Sequence, residues 1–268
     1  MDQTSLEIIR DELSLGKVIY LPSTGSTNDV ARNWLMENVP HYSVVVADEQ
    51  TRGRGRRGRK WFTLKDSALA FSIILSKGLF PNHLLRYSGL GSLAVCETLS
   101  QFTNALIEIK WPNDILINKH KIGGVLVEAY WVGAEIKGVV LGIGINISQL
   151  SLPSQDQLNF PATFLEEHTQ MPHKRVEILR QIIIKIQDWN KRISTLSFLE
   201  AWDQKLAYKG QTVQIVVSER ESHEGQLIGL TNNGEIVIKF FDGTSAHFNA
   251  NEIKIRPQDT YFGLEGSL

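Results

Sequence analysis

Nine consecutive residues, Arg52-Gly53-Arg54-Gly55-Arg56-Arg57-Gly58-Arg59-Lys60, carry six basic side chains and no acid, and they stand between two apolar runs at residues 44–46 and 69–75. Short apolar runs of this kind read as buried strands. The chain must therefore bring a strongly cationic loop up to a folded core, which a disordered tail would not do. Glycine lets the backbone approach a ligand closely, and arginine offers a planar fork of donors suited to phosphate or carboxylate oxygens. Together they describe a flexible loop able to close over a phosphorylated ligand. The alternative is an Arg/Gly-rich RNA-binding segment. Its position between strands, with Trp61-Phe62 directly after it, argues against that reading.

Charge sharpens the point. The 268 residues hold 28 Lys and Arg against 29 Asp and Glu, a net of −1; outside the loop the count is 22 against 29, a net of −7. A general nucleic-acid binder spreads basic charge over a face, whereas here one loop on an acidic body meets an anion. Hydrophobic content of 42% suits an ordinary globular chain, long enough for one large domain or one plus a small one. No apolar run is long enough to span a bilayer, and the first residues lack the features of a signal peptide, so the cytoplasm is the default location. The lone Cys96 excludes an internal disulfide and a cysteine-rich metal site, and it reads as a buried structural thiol.

The pattern predicts an α+β architecture. Strands are expected at 18–21, 44–46, 69–75, 107–109, 125–127 and 139–147, joined in part by hairpins in one mixed sheet. Helices are expected after Ser26, from 81 to about 102, and over 176–189 and 198–208. After Gly210 the character changes to short strands at 213–217, 225–228, 236–241 and 247–248, with Asn232-Asn233-Gly234 and Asp242-Gly243 as turn signals. The expected division is residues 1–208 for the larger α+β domain and 209–268 for a small β-barrel.

Several polar groups fall at the ends of these elements. Ser26-Thr27-Asn28 reads as a helix N-cap whose hydroxyl pair could also serve a polar ligand. Lys110-Trp111-Pro112-Asn113-Asp114 sets a lysine, an amide and a carboxylate at a proline break, expected to interrupt a central strand. Lys121 precedes Gly123-Gly124 and the run Val125 to Glu128. Gly142-Ile143-Gly144-Ile145-Asn146 ends a strand in an amide and lacks the third glycine and helix entry of a dinucleotide fingerprint.

Four segments in this order resemble the biotin protein ligases: Ser26 to Asn28, Gln50 through Trp61, Lys110 through Asp114 with Lys121 to Glu128, and Gly142 to Asn146. The family signature is the loop Gly53 to Trp61. The resemblance implies a mixed β-sheet catalytic domain flanked by helices, of the class II aminoacyl-tRNA synthetase-like biotin ligase fold, with a C-terminal SH3-like β-barrel. It implies two steps. Biotin carboxylate attacks the α-phosphate of ATP, giving biotinyl-5′-adenylate and pyrophosphate, and a lysine of a biotin carboxyl carrier protein then displaces AMP. Magnesium would arrive mainly on the ATP phosphates, with no metal ligand assigned.

By the same resemblance, Ser26, Thr27, Asn28 and Gln50 bind biotin, and Gly53, Gly124 and Gly142 allow backbone approach to it. Arg54, Arg56 and Lys121 serve both biotin and catalysis, and Asp114 is the carboxylate expected to assist the acceptor lysine, a structural or metal-linked role staying open. Arg56, Arg59, Trp61, Lys110, Asn113 and Asn146 address ATP. Bifunctional members carry an N-terminal DNA-binding domain; with about twenty-five residues before Ser26, fewer than the roughly forty a domain needs, the expected type is monofunctional, with no DNA and no membrane partner. The expected acceptor is the carrier domain of acetyl-CoA carboxylase or another biotin-dependent carboxylase. The oligomeric state stays open, a homodimer included. A lipoate or other acyl-carrier ligase of related fold is the nearest alternative, and an RNA-binding module is the alternative from another class.

Overall fold

The central strands alternate large apolar with small residues, and this alternation decides which face of the sheet becomes core. A computed structural model describes residues 1–154, 157–158, 160–169, 174–218 and 221–257. Its larger sheet runs β1 (Val18–Leu21), β2 (Val44–Ala47), β3 (Ala68–Leu75), β7 (Glu135–Asn146), β6 (His120–Val132), β5 (Asp114–Ile117), β4 (Ile107–Lys110). β1 and β2 are parallel, and the other neighbours are antiparallel. Leu69, Phe71 and Ile73 of β3 and Leu141, Ile143 and Ile145 of β7 point to one face. There they join buried residues of α1 (Gln3–Leu13), α3 (Leu84–Leu99), α4 (Arg175–Asn190) and α5 (Leu196–Gln204) in the main core.

The opposite face is covered at one end by α2 (Thr27–Met36). Its Ala31, Trp34 and Leu35 form a second cluster with Val45, Ile74 and Val140. Towards the start of α2 the side chains on this face shrink. The paired row Ala47, Ala70, Gly144, Gly124, Asp114, Lys110 crosses six strands, small residues first and two charges last. The last four of these residues, Gly144, Gly124, Asp114 and Lys110, line the floor of a cavity.

A second, antiparallel sheet runs β11 (Ser245–Phe248), β10 (Ile236–Lys239), β9 (Ser222–Leu230), β8 (Thr212–Val216), β12 (Lys254–Pro257), the SH3-like unit expected at this end of the chain. Residues 219–220 and 258–268 of the expected barrel lie outside the described residues. Val213, Ile215, Leu227, Ile236 and Ile238 belong to the same buried cluster as Phe198 and Trp202 of α5, so the two sheets share apolar contact. Arg86 of α3 donates to the carbonyl of Asn232 at 2.5 Å, and Trp111 Nε1 donates to that of Gly234 at 3.0 Å.

Three expectations change. The helix expected to run through 208 stops at Gln204, because the backbones of Lys205 and Ala207 pair with Ile109 of β4 (2.7 and 2.9 Å). The proline at 112 interrupts no central strand: residues 111–113 are the turn between β4 and β5, at the end of the sheet. The helix expected over 81–102 is α3 preceded by a single 3₁₀ turn at Pro81–His83. Among the described residues no helix is long and apolar enough to cross a membrane.

One ion cluster, built on the shielded pair Arg175–Asp48, fixes the start of α4 to the sheet. Arg175 donates to Asp48 (2.7 Å), Asp66 (2.6 Å) and the carbonyl of Ala68 (3.1 Å), and Tyr20 donates to Asp48 (2.5 Å). Burial pushes the Asp48 carboxyl up, but the Tyr20 hydroxyl and Arg175 outweigh it and hold the group below its ordinary 3.8. Removing one partner of a buried pair leaves the other charge uncompensated. Asp48→Asn should therefore cost about 3 kcal/mol in urea unfolding at pH 7. The native carboxyl titrates below the unfolded one, so this stability is present above the unfolded value and is lost as pH falls through the folded one. The gap between the two proteins should narrow on acidification; a constant gap from pH 7 down to pH 3 would contradict the assignment.

Candidate active site

A cavity of about 1090 Å³ opens above the glycine floor and collects the expected site residues from the whole chain. Ser26, Thr27, Asn28, Gln50, Gly53, Arg54, Arg56, Arg59, Trp61, Lys110, Asn113, Asp114, Lys121, Gly124, Gly142 and Asn146 all line it. Ten basic and three acidic side chains border it among the described residues. Such an imbalance raises the local concentration of anions.

One end is polar and uncharged. The chain leaves β1, bridges Gln50 at Thr24, and enters α2 with Ser26 in the N-cap position. Ser26 makes no capping hydrogen bond with its side chain, so the cap reading holds for its backbone only. Gln50 Oε1 accepts from the Thr27 N–H (2.9 Å) and hydroxyl (3.1 Å). Beneath them Ser72 of β3 lies within 2.8 Å of the Thr27 hydroxyl and 2.6 Å of Asn28 Oδ1. Asn28 turns its amide N–H to Glu128 at 2.7 Å. Gly142 is required by this packing: a β-carbon there would overlap the Asn28 amide.

The basic loop arches over the middle. Trp61 N–H donates to the Gly53 carbonyl (2.9 Å) and Gly55 N–H to that of Arg59 (2.6 Å), closing the loop on itself. This brings the Trp61 indole against Gly144, where a β-carbon would lie 2.4 Å from the ring. Trp61 Nε1 is buried without an acceptor among the described residues, a donor that a bound ligand could satisfy. Arg54 is held by Asp29 (2.7 Å) and Glu128 (3.1 Å). Half-buried Arg56 reaches Asn113 Oδ1 (3.4 Å), the Ala250 carbonyl (2.8 Å) and Asn251 Oδ1 (3.4 Å), and Arg57 donates to the Asn251 carbonyl (2.9 Å). The second sheet thus supplies one wall.

The far end is charged. A register shift between β5 and β6 at Ile115/Leu116 sets Lys121 beside Asp114, with Nζ and Oδ1 2.5 Å apart. The Lys121 backbone is pinned on both sides, to the Pro161 carbonyl (2.7 Å) and the Thr163 N–H (2.9 Å). Burial pushes the Asp114 carboxyl up, and Lys121 followed by Lys110 more than reverse this, leaving it below the usual carboxylate range. Burial likewise lowers the Lys110 ammonium, whose Nζ lies 4.3 Å from the Phe160 ring centre. Asn113 and Asn146 spend their amide N–H groups on the carbonyls of Val125 (2.9 Å) and Thr163 (3.0 Å). Arg59 is exposed at the rim. Among the described residues no three His, Cys, Asp or Glu side chains meet to hold a metal. A donor set this cationic does not fit a magnesium ion bound by protein ligands.

Sequence reasoning missed Ser72, Asp29 and the Ala250–Ile253 wall, and it assigned Glu128 no role. Ser72 had a signal, since Ala70 and Ser72 are the small positions between Leu69, Phe71 and Ile73. The wall had none, because its partner in the loop is 194 residues away.

A nucleotide-sized cationic cavity joining a neutral polar end to a lysine–aspartate end, on a mixed sheet with a small SH3-like unit, is the arrangement of an adenylate-forming ligase. The model of the biotin/lipoate A/B protein ligase family matches residues 20–146. A biotin protein ligase from Aquifex aeolicus, solved in complex with biotin and ATP, is 31% identical, with 90% of this chain and 99% of that chain covered and a TM-score of 0.76. The biotin–[acetyl-CoA-carboxylase] ligase of Paracoccus denitrificans is 27% identical over 82% of this chain and 92% of its own length. The bifunctional ligase/repressor BirA of Bacillus subtilis is 26% identical over 91% and 75% respectively. The chain belongs to this family, among its biotin protein ligases.

Proposed function

We propose that the cavity binds biotin and ATP side by side, joins them as biotinyl-5′-adenylate, and passes biotin to a lysine of a biotin carboxyl carrier domain, such as that of acetyl-CoA carboxylase. The observation that carries this is one continuous cavity with donors and acceptors at the start of α2 and the Lys121–Asp114 pair across the glycine floor. On this reading Ser26, Thr27, Asn28 and Gln50 meet the ureido ring, and Gly53, Gly124 and Gly142 keep the space beside it narrow and open. Leaving such buried groups unpaired costs roughly 1–3 kcal/mol each, which selects biotin over purely apolar acids.

The carboxylate and the α-phosphate repel one another as they approach. Lys121, Arg56, Arg59 and Lys110 offset that repulsion, and Lys121 follows the charge that develops between the reacting oxygens. The biotin carboxylate oxygen bonds to the α-phosphorus as the bond to pyrophosphate breaks. The acceptor amine, having lost its proton, then attacks the acyl carbon and AMP leaves. Asp114, held ionised, aims Lys121. Trp61, Asn113 and Asn146 border the adenine, and magnesium travels with the ATP phosphates. The boundary between the catalytic unit and the small barrel falls at residues 208/209, and the described part of the barrel walls the nucleotide side.

Biotin-dependent exchange of labelled pyrophosphate into ATP tests the first step. Exchange should require biotin and ignore lipoate; exchange driven by lipoate alone would replace this reading with that of a lipoate ligase.

A further inference from the structure

Arg54 differs from the other cations of the cavity. Its guanidinium meets two carboxylates at once, Asp29 at the start of α2 and Glu128 on β6, at 2.7 and 3.1 Å. A charge already matched by two acids is poorly placed to neutralise an incoming anion. The two contacts are also unequal. Asp29 is 46% exposed and Arg54 42%, whereas Glu128 is 25% exposed, and ion pairs open to solvent hold little.

The same Glu128 oxygen that accepts from Arg54 also accepts from the Asn28 amide at 2.7 Å. Asn28 in turn accepts from Ser72, which touches Thr27, whose N–H binds Gln50. A carboxylate only accepts hydrogen bonds, so Glu128 fixes which way the Asn28 amide faces and hence that its oxygen meets Ser72. Glu128 does not line the cavity. Near it stands the Tyr130 hydroxyl, which burial and then the negative charge of Glu128 push up, and Arg32 lies 5.5 Å from the Tyr130 ring centre.

We propose that Glu128 is a positioning residue that clasps the basic loop to the biotin end of the cavity, holding Arg54 and Asn28 on one oxygen, with Asp29 as the weaker second arm. The clasp rests on the biotin reading only for its consequence at the substrate. Losing Glu128 leaves Arg54 with Asp29 alone and lets the Asn28 amide reverse, so the loop opens more often and the ring pocket loses its fixed donors. ATP, bound at the other end, is little affected.

Two measurements test this, one independent of any ligand. In the ligand-free full chain, trypsin should cut after Arg57 and Lys60 about fivefold faster in Glu128→Gln than in wild type. In an Arg54→Ala background the same change should add less than twofold, because its partner is already gone. In pyrophosphate exchange, Glu128→Gln should raise the KM for biotin about tenfold and leave kcat and the KM for ATP within about threefold. Asp29→Asn should show the same pattern at smaller size. Unchanged trypsin cleavage, or effects of the two substitutions that multiply, would overturn the clasp. A KM for ATP that rises with that for biotin would also count against it, as a general loosening does that. Faster cutting in a protein lacking biotin-dependent exchange would keep the clasp and remove the biotin reading.

Discussion

Replacing Lys121 by methionine should lower biotin-dependent pyrophosphate exchange about 10³-fold, the size expected for removing a preorganised positive group from a developing charge. The side chains are similar in length, so the loss is one of charge. The amine is placed without help from a ligand. The shift in pairing at Ile115/Leu116 turns it to Asp114, and backbone bonds to Pro161 and Thr163 hold its main chain on both sides. Such a group pays no reorganisation when the carboxylate meets the α-phosphate. The fold should survive, because Asp114 keeps Lys110 as a cationic neighbour in the paired row. The KM for biotin should move far less than kcat, since the ring is held at the opposite end by Thr27 and Gln50. A thermal melt that is lowered, as loss of a buried pair requires, but still cooperative and above the assay temperature, together with single-turnover adenylate formation, separates chemistry from folding. A loss under tenfold would remove Lys121 from the reacting centre.

What could be read from the chain depended on how local the cause was. The basic loop is legible because glycine and arginine alternate within nine residues, and β3 because Leu69, Phe71 and Ile73 alternate with Ala70 and Ser72. α1 also had a local signal that went unused: Asp2 caps it by accepting from the Ser5 N–H at 2.8 Å, and Leu6 and Ile9 fall on one face. The row that runs into the cavity floor is different. Ala47, Ala70, Gly144, Gly124, Asp114 and Lys110 form a row only once the register of five strand pairings is fixed, and a slip of one residue would turn each strand's small positions away. Glu128 looks like an ordinary polar end to Val125-Leu126-Val127, and its partner Asn28 is 100 residues away. The β12 strand, Lys254–Pro257, is four residues long and ends in proline, too little pattern to separate from a loop. Charge told where the site lay, and tertiary pairing alone told which charges were free to act.

Arg56→Gly should release the adenylate. Arg56 is the cation that spans the cavity, reaching Asn113 on the floor side and both Ala250 and Asn251 on the wall of the second sheet. It is half-buried, and burial followed by the neighbouring Arg57 lowers its ordinary value without discharging it. A mixed anhydride survives only where water is excluded until the acceptor arrives. Glycine at this position removes every one of those bonds and adds backbone freedom to a loop that already has glycines at 53, 55 and 58. Hydrogen bonds to a charged group contribute roughly 1.5–3 kcal/mol each, so losing the equivalent of two should shorten retention of the intermediate by about 10²- to 10⁴-fold. Exchange of pyrophosphate should fall much less than retention, since Lys121 is untouched. Gel filtration of enzyme loaded with labelled biotin and ATP reads retention directly. Biotin appearing on lysines of an added bystander protein reads escape of a still reactive adenylate. If the variant holds its adenylate as long as wild type and labels no bystander, Arg56 does not close the cavity, and the wall at residues 250–253 has no part in protecting the intermediate.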